Sequence, residues 1–144
     1  MPVKPVPDGY HTVTPYLTIR GVDKLIEFLK QVFGAQRTEY MTRPDGSVTH
    51  AEVRIGDSVV MMGEPTNVSE QMPGMLYLYI PDLDAAYKRA LAAGATSVHE
   101  PTNEFYGDRS AAVKDASGNT WFMATHVEDV PREELEKRAK AARG

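Results

Sequence analysis

Apolar and polar positions along this chain follow two different periods, and each change of period marks a new element. Val13, Pro15, Leu17 and Ile19 alternate with Thr14, Tyr16 and Thr18, the spacing of a half-buried strand. Pro15 has no N–H, which puts it at the start of that strand or on a sheet edge. The period then lengthens. Val22, Leu25, Ile26, Leu29, Val32 and Phe33 fall on one face of a helix, with Gly34 as its C-cap. Residues 38–42, 48–55 and 58–62 read as three more strands, parted by a Pro44-Asp45-Gly46 turn and a Gly56-Asp57 hairpin. Further on, Leu76, Leu78 and Ile80 form another strand. Asp82 is suited to cap a helix through Leu83, Ala86, Tyr87, Ala90 and Leu91 that stops at Gly94. Residues 106–109 read as a loop, and 113–115 and 120–125 as strands around the turn at 116–119. Pro131 opens a charged helix over about 131–142, expected to be a solvated cap.

These elements repeat. Tyr16-Leu17-Thr18-Ile19 before Asp23 returns as Tyr77-Leu78-Tyr79-Ile80 before Asp84, at an offset of 61. Val53-Arg54 answers Val113-Lys114, and Gly56-Asp57-Ser58 answers Gly118-Asn119-Thr120, at offsets of 60 and 62. The expected architecture is α+β: two tandem βαβββ modules in a single domain over 1–144, forming a cupped mixed sheet. Module 1 covers about 11–62 and module 2 about 75–126, with a linker at 63–74 and the short C-terminal helix after them. One such module covers one face of its sheet with the helix and leaves the other apolar, which calls for a partner module and a ligand-sized cavity.

Strand parity assigns the residues of that face. Leu17, Ile19, Leu78 and Ile80 point toward the helices. Thr14, Tyr16, Thr18, Met75, Tyr77 and Tyr79 point away, joined by Val60, Met62, Phe122, Ala124 and His126. An aromatic, sulfur-bearing surface with a few hydroxyls suits a planar or amphipathic organic molecule.

Composition narrows the classes. With 42% hydrophobic and 25% charged residues among 144, the chain is ordinary globular material. It has no cysteine, which removes disulfides, thiolate metal sites and thiol nucleophiles and suits a cytoplasmic location. A net charge of −4 argues against a nucleic-acid partner. The longest apolar run, 59–62, is far short of the roughly 18 residues of a spanning helix, so no membrane partner is expected.

Three groups carry candidate chemistry. His50 and Glu52 stand two apart on one strand and share a face, as a general-base pair or a rim ion pair beside Arg54. Tyr106 and Arg109 belong to the 106–109 loop, where Arg109 would clamp a ligand carboxylate or phosphate with Asp108 behind it. His126 ends the last strand as a ligand contact or a backbone-bonded histidine.

Thr14-Pro15-Tyr16-Leu17, His50-Ala51-Glu52-Val53-Arg54-Ile55-Gly56-Asp57, Tyr106-Gly107-Asp108-Arg109 and Ala124-Thr125-His126-Val127-Glu128-Asp129, together with the duplicated βαβββ order, resemble the vicinal oxygen chelate superfamily. This is the glyoxalase, bleomycin-resistance and dioxygenase group, and the closer likeness is to its PhnB-like branch. The resemblance implies the glyoxalase/bleomycin-resistance fold and a homodimer. It also implies a divalent cation held from four strand positions. Carried over, these fall on Thr14, Val60, Met75 and Phe122, none of them a competent ligand. No cofactor is therefore expected. A metal would need a displaced site built from His50, Glu52 and His126. Two functions follow. One is a metal-free protein binding a small aromatic or amphipathic molecule through Thr14, Tyr16, Met62, Met75, Tyr77, Tyr79, Tyr106, Arg109, Phe122 and His126. The other is an enzyme, a lyase, isomerase, dioxygenase-like or metal-free acid–base catalyst, using His50 and Glu52.

Overall fold

The computed structural model of the protein describes residues 3–143. It divides into two compact units, one ending at Gly74 and the other starting at Met75.

The first unit is β1 (Tyr16–Thr18), α1 (Val22–Phe33), β2 (Gln36–Thr42), β3 (Val48–Ile55) and β4 (Ser58–Gly63), in the sheet order β1-β4-β3-β2. β1 is an edge strand parallel to β4, and the rest of the sheet is antiparallel. It starts just after Pro15, whose carbonyl accepts from the Met61 N–H at 2.9 Å. Leu17, Met62 and Ala51 lie opposite one another across three strands, and all are at most 3% exposed. They bury against Val22, Leu25, Ile26, Leu29 and Val32 of α1. Phe28 joins that buried face and Phe33 is only half-buried. Glu64 staples the unit together: one carboxylate oxygen accepts from the Gly21 N–H before α1 and the other from the Val48 N–H at the start of β3. The expected linker is not featureless, since β4 runs through Gly63 and a single 3-10 turn forms at Val68–Glu70.

The second unit is β5 (Met75–Tyr79), α2 (Leu83–Ala92), β6 (Thr96–Asn103), β7 (Asp108–Lys114), β8 (Thr120–His126) and α3 (Arg132–Arg143), in the sheet order β5-β8-β7-β6. Asp82 caps α2, its side chain accepting from the Ala85 N–H at 3.2 Å. Trp121 and Met123 are fully buried on the side of Leu83, Ala86 and Ala90. Asp115 closes the β7–β8 turn by accepting from the Ser117 and Asn119 N–H groups, the Asn119 amide and the Trp121 indole. This turn covers residues 115–119, against 56–57 in the first unit. The parallel strand pairs keep the repeat in step at 61, because Met61 opposite Tyr16 corresponds to Phe122 opposite Tyr77.

One expectation changes here, and the strand that the βαβββ order required after α2 is located. Asp108 and Arg109 are the first residues of β7 rather than loop residues. Residues 96–103, which show no apolar alternation, form an edge strand, and an edge position tolerates Pro101. The C-terminal helix is also more than a solvated cap. Arg138 bonds the Glu128 and Glu134 carboxylates and the Phe105 carbonyl, fastening α3 to its own unit.

Candidate functional site

In each unit the sheet has one face against its helix and one face away from it. The ladders show which side chains share the outer face, because residues directly opposite one another point the same way. In the first unit these are Tyr16, Met61 and Glu52. Met62 therefore belongs to the helix face and is fully buried beside Leu17, which corrects its expected place among the ligand contacts. Val60 turns the same way, opposite Val53, for the same reason of parity.

A chain of hydrogen bonds crosses this outer face. The Tyr16 hydroxyl lies 3.3 Å from His50 Nδ1, and His50 Nε2 lies 2.7 Å from Glu52 Oε2. The other Glu52 oxygen accepts from the Tyr10 hydroxyl. The bond to Glu52 raises the Tyr10 phenol above its usual value. Glu52 is 5% exposed, so these donors satisfy a carboxylate with little access to water. A ring carrying its proton on Nε2 donates to Glu52 and leaves Nδ1 to accept from Tyr16. Gly63 makes the approach of Tyr16 feasible: a Cβ there would stand 2.7 Å from the Tyr16 hydroxyl and 2.5 Å from the Thr49 carbonyl oxygen. Tyr10 was missed in the sequence because its partner is 42 residues away.

The outer face of the second unit is organised around Asp108, which is 3% exposed. The hydroxyls of Tyr77 and Tyr79 both donate to Oδ2 at 2.9 Å, and His126 Nδ1 donates to Oδ1 at 2.9 Å. Burial pushes the Asp108 carboxyl up, but the bonds from His126, Tyr77 and Tyr79 together hold it below the usual value. His126 Nε2 also faces Asp129, at 2.7 Å. A neutral imidazole donates from one nitrogen only, so a ring between two carboxylates is favoured as imidazolium, and Asp108 first and Asp129 second raise its pKa. Burial, then the bond to Asp108, drives the Tyr77 phenol far above its usual value. Tyr79 is raised chiefly by its bond to Asp108.

Over this hub lies an aromatic surface. Tyr77 stacks on Phe122 with centroids 5.7 Å apart and planes 14° from parallel, and Tyr79 tilts against Tyr77 at 5.3 Å. Met75 (70% exposed), Tyr77 (43%) and Tyr79 (64%) present this face outward. Tyr106 stands edge-on to Phe105 and its hydroxyl reaches Tyr77.

Arg109 is not part of this group. It lies opposite Thr125 on the α2 side, with Nε and Nη2 on the two oxygens of Asp84 at 2.9 and 3.0 Å and Nη1 on Asn103. One step along a strand reverses the face, so Asp108 cannot back it and the expected clamp is corrected to a sheet-to-helix tie. Thr14 stands before β1, where its hydroxyl donates to the His11 carbonyl at 3.0 Å.

The donor chemistry does not fit the divalent cation that the resemblance implies. Thr14 has committed its proton, Val60 faces the helix, and Met75 and Phe122 offer thioether and ring. Among the described residues, no group of three or more His, Asp or Glu side chains is gathered so as to hold a metal ion. Nor, among them, is any helix long and apolar enough to cross a membrane.

Residues 10–123 match the family described as the Glyoxalase/Bleomycin resistance protein/Dioxygenase superfamily. An uncharacterized protein of Mycobacterium bovis, Mb0911c, is 29% identical over 136 residues, covering 86% of this chain and 89% of its own. Among solved structures, TioX from Micromonospora sp. ML1 superposes with a TM-score of 0.68 at 24% identity, over 81% of this chain and 99% of that one. The fosfomycin resistance protein FosX from Mesorhizobium loti does so with a TM-score of 0.58 at 19% identity, over 80% and 90%. At these identities the two structures establish the shared fold. The chain belongs to the glyoxalase/bleomycin resistance protein/dioxygenase superfamily.

Proposed function

We propose that this superfamily member is a metal-independent binding protein for a small aromatic or amphipathic molecule, which stacks on the outer face of the second unit. One observation carries the reading. Tyr77, Tyr79 and Phe122 form a cluster whose tyrosine hydroxyls are spent inward on Asp108, so the ring faces, with Met75 beside them, are what remains for a ligand. Rings held by fixed hydrogen bonds lose little freedom on binding, and aromatic pairs contribute about 0.5–1.5 kcal/mol beyond the area they bury. The donor chemistry supports the absence of a metal from this function. The fosfomycin resistance named for FosX makes antibiotics a sensible ligand class to screen. The His50–Asp57 and Ala124–Asp129 stretches favour the PhnB-like branch within the superfamily. The reading takes the protein as a cytoplasmic homodimer.

The test is a thermal-shift screen of aromatic antibiotics and metabolites with and without EDTA, followed by Tyr77→Ala and Phe122→Ala. A hit that raises Tm regardless of EDTA and is lost in both variants supports the reading. A panel without hits, or hits that require a metal, removes it. Native mass spectrometry of the same material reads subunit number.

A second reading rests on the Tyr16–His50–Glu52 chain. A phenol beside an imidazole that is oriented by a carboxylate is a proton-transfer group, and it would make the protein a metal-free acid–base enzyme. His50→Ala would then abolish turnover of a bound substrate while leaving its affinity unchanged. Unaltered turnover would dispose of this reading.

A further inference from the structure

The loop that joins β6 to β7 is held from two sides. Its turn closes on itself: the Gly107 N–H donates to the Glu104 carbonyl at 3.2 Å, and the Glu104 N–H donates to the Asp108 carbonyl at 2.7 Å. The Gly107 carbonyl accepts from the Val127 and Glu128 N–H groups at 2.9 and 3.1 Å, so the chain leaving β8 lies against the loop. Gly107 has a φ of +101°, and a Cβ there would collide with the Glu128 carbonyl oxygen. Phe105 and Tyr106 stand at the corner of the turn, edge to face with centroids 5.2 Å apart. Over this junction α3 supplies a single cation. Arg138 Nη1 donates to the Phe105 carbonyl at 3.2 Å and to Glu128 Oε1 at 2.9 Å. Its Nη2 reaches Glu128 Oε2 at 3.0 Å, and its Nε reaches Glu134, one turn back on α3, at 3.1 Å. One guanidinium thus ties the helix, the segment after β8 and the loop corner together.

We propose that Arg138 is a positioning residue for ligand binding, and that α3 is a clasp which sets Tyr106 as a wall of the aromatic face. The proposal rests on the reading of that face as the binding surface. Tyr106 follows directly on the residue whose carbonyl Arg138 holds, and its hydroxyl reaches Tyr77. The Tyr77 proton goes to Asp108, so the Tyr77 oxygen is left to accept from Tyr106. Tyr106 and Phe105, 39% and 38% exposed, extend the ring surface from the strands onto the loop. Tyr77 and Phe122 are fixed by the strand ladder they share, whereas a turn corner lies outside any ladder and depends on ties from elsewhere. The planar guanidinium fork holds a carboxylate with two nitrogens and a carbonyl besides, which the point charge of a lysine does not reproduce. The same bond holds the Glu128 carboxyl below its usual value. The side chains of Arg138, Glu128 and Glu134 are 32%, 48% and 43% exposed, so each pair is weak in water. The clasp can therefore open without disturbing the buried side of the sheet, and affinity at the aromatic face then follows the docking of α3.

The probe is N-phenyl-1-naphthylamine, neutral and fluorescent in apolar surroundings, titrated into the full chain. The part of its signal that is lost in Phe122→Ala reads the aromatic face. Tyr106→Ala should weaken that binding about fivefold, the scale of one aromatic contact. Arg138→Met should weaken it nearly as much, and should add nothing in the Tyr106→Ala background. A merely structural role would lower affinity equally in both backgrounds. Glu128→Ala removes the anchor of the clasp from a half-exposed position and should act in the same direction. With no ligand present, Arg138→Met should speed amide exchange at Gly107, Val127 and Glu128 on the order of tenfold. The Asn119 amide, held by Asp115, should keep its native rate, and circular dichroism checks the fold. Native affinity in both Arg138→Met and Glu128→Ala, an equal loss in the Tyr106→Ala background, or unchanged exchange at all three amides each overturns the proposal while Phe122-dependent binding stands. Absence of any Phe122-dependent binding in the native protein overturns the reading of the face itself, and this proposal with it.

Discussion

Asp108→Asn is the sharpest perturbation available, because it changes one charge and almost no volume at a point where three side chains meet. In the native protein the carboxylate accepts from Tyr77, Tyr79 and His126, each at 2.9 Å, and is 3% exposed. An amide in its place keeps one acceptor oxygen. If that oxygen faces the two tyrosines, the amide N–H₂ faces His126 Nδ1, which must then give up its proton and accept. Hydrogen bonds to a charged group contribute about 1.5–3 kcal/mol and neutral ones about 1 kcal/mol. The two tyrosine bonds together lose about 2 kcal/mol, and the contact with half-exposed His126 adds little. At roughly 4 °C per kcal/mol for a chain of this size, Tm falls by about 8 °C. The second readout is the His126 ring. Nuclear magnetic resonance titration should find its pKa above 6.5 in the native protein, and moved down toward 6.5 in the variant. A variant that melts within about 1 °C of the native protein and leaves the His126 titration unchanged would refute the claim that Asp108 organises this face.

Other changes have equally direct readouts. Raised His126 contributes stability below the unfolded imidazole value of 6.5 and loses it as pH climbs through the folded value; lowered Asp108 contributes above 3.8 and loses it on acidification. The Tm advantage of the native protein over His126→Gln should therefore be largest between those two values and shrink toward pH 9; an advantage that grows above pH 7 contradicts the assignment. Gly63→Ala places a methyl 2.5 Å from the Thr49 carbonyl oxygen and 2.7 Å from the Tyr16 hydroxyl, at a cost of about 1–3 kcal/mol by denaturant titration. Trp121→Phe strips a buried donor from Asp115 and should cost about 1–3 kcal/mol by the same measurement. Asp82→Ala removes the cap of α2 and should lower stability by about 1 kcal/mol, with the first amides of α2 exchanging faster.

The fold was legible wherever burial imposes a period. Helices α1 and α2, the paired strands β3–β4 and β5, and the repeat offset of Tyr16 with Tyr77 follow from apolar spacing, and the structure contains them. β6 was not legible. It is an edge strand of mostly exposed polar residues, so no buried face imposes a period on it. Parity also failed one step along β4, where Val60 and Met62 were expected outward. Two successive methionines fit either face, and the β1–β4 register, set by Pro15 and Met61, decides between them. At the candidate sites, His50 with Glu52 could be read from a spacing of two on one strand. The third members, Tyr10 for one cluster and Asp108 for the other, are brought in by folding over 42 and 18 positions from Glu52 and His126.

The repeat and its departures carry a consequence for function. Tyr16 and Tyr77 occupy equivalent places, opposite Met61 and Phe122. The ladders also align Ala51 with Ala111, which makes Ser110 and Ala112 the counterparts of His50 and Glu52, and Val48 that of Asp108. Each unit thus meets the same requirement, a partner for a tyrosine hydroxyl on the outer face, with a different residue from a different register. In the first unit the partner is an imidazole whose other nitrogen faces a carboxylate, an arrangement that can pass a proton to or from Tyr16. In the second it is a carboxylate held as an anion by three donors, which locks Tyr77 and Tyr79 as donors and leaves their rings exposed. Duplicated modules begin with equal faces, and here one carries an exposed aromatic cluster and the other a histidine–carboxylate pair. Exchanging the polar sets tests that division. Adding Ser110→His and Ala112→Glu to Asp108→Val should weaken binding of a stacked aromatic ligand, and its retention at native affinity would show that the rings alone suffice.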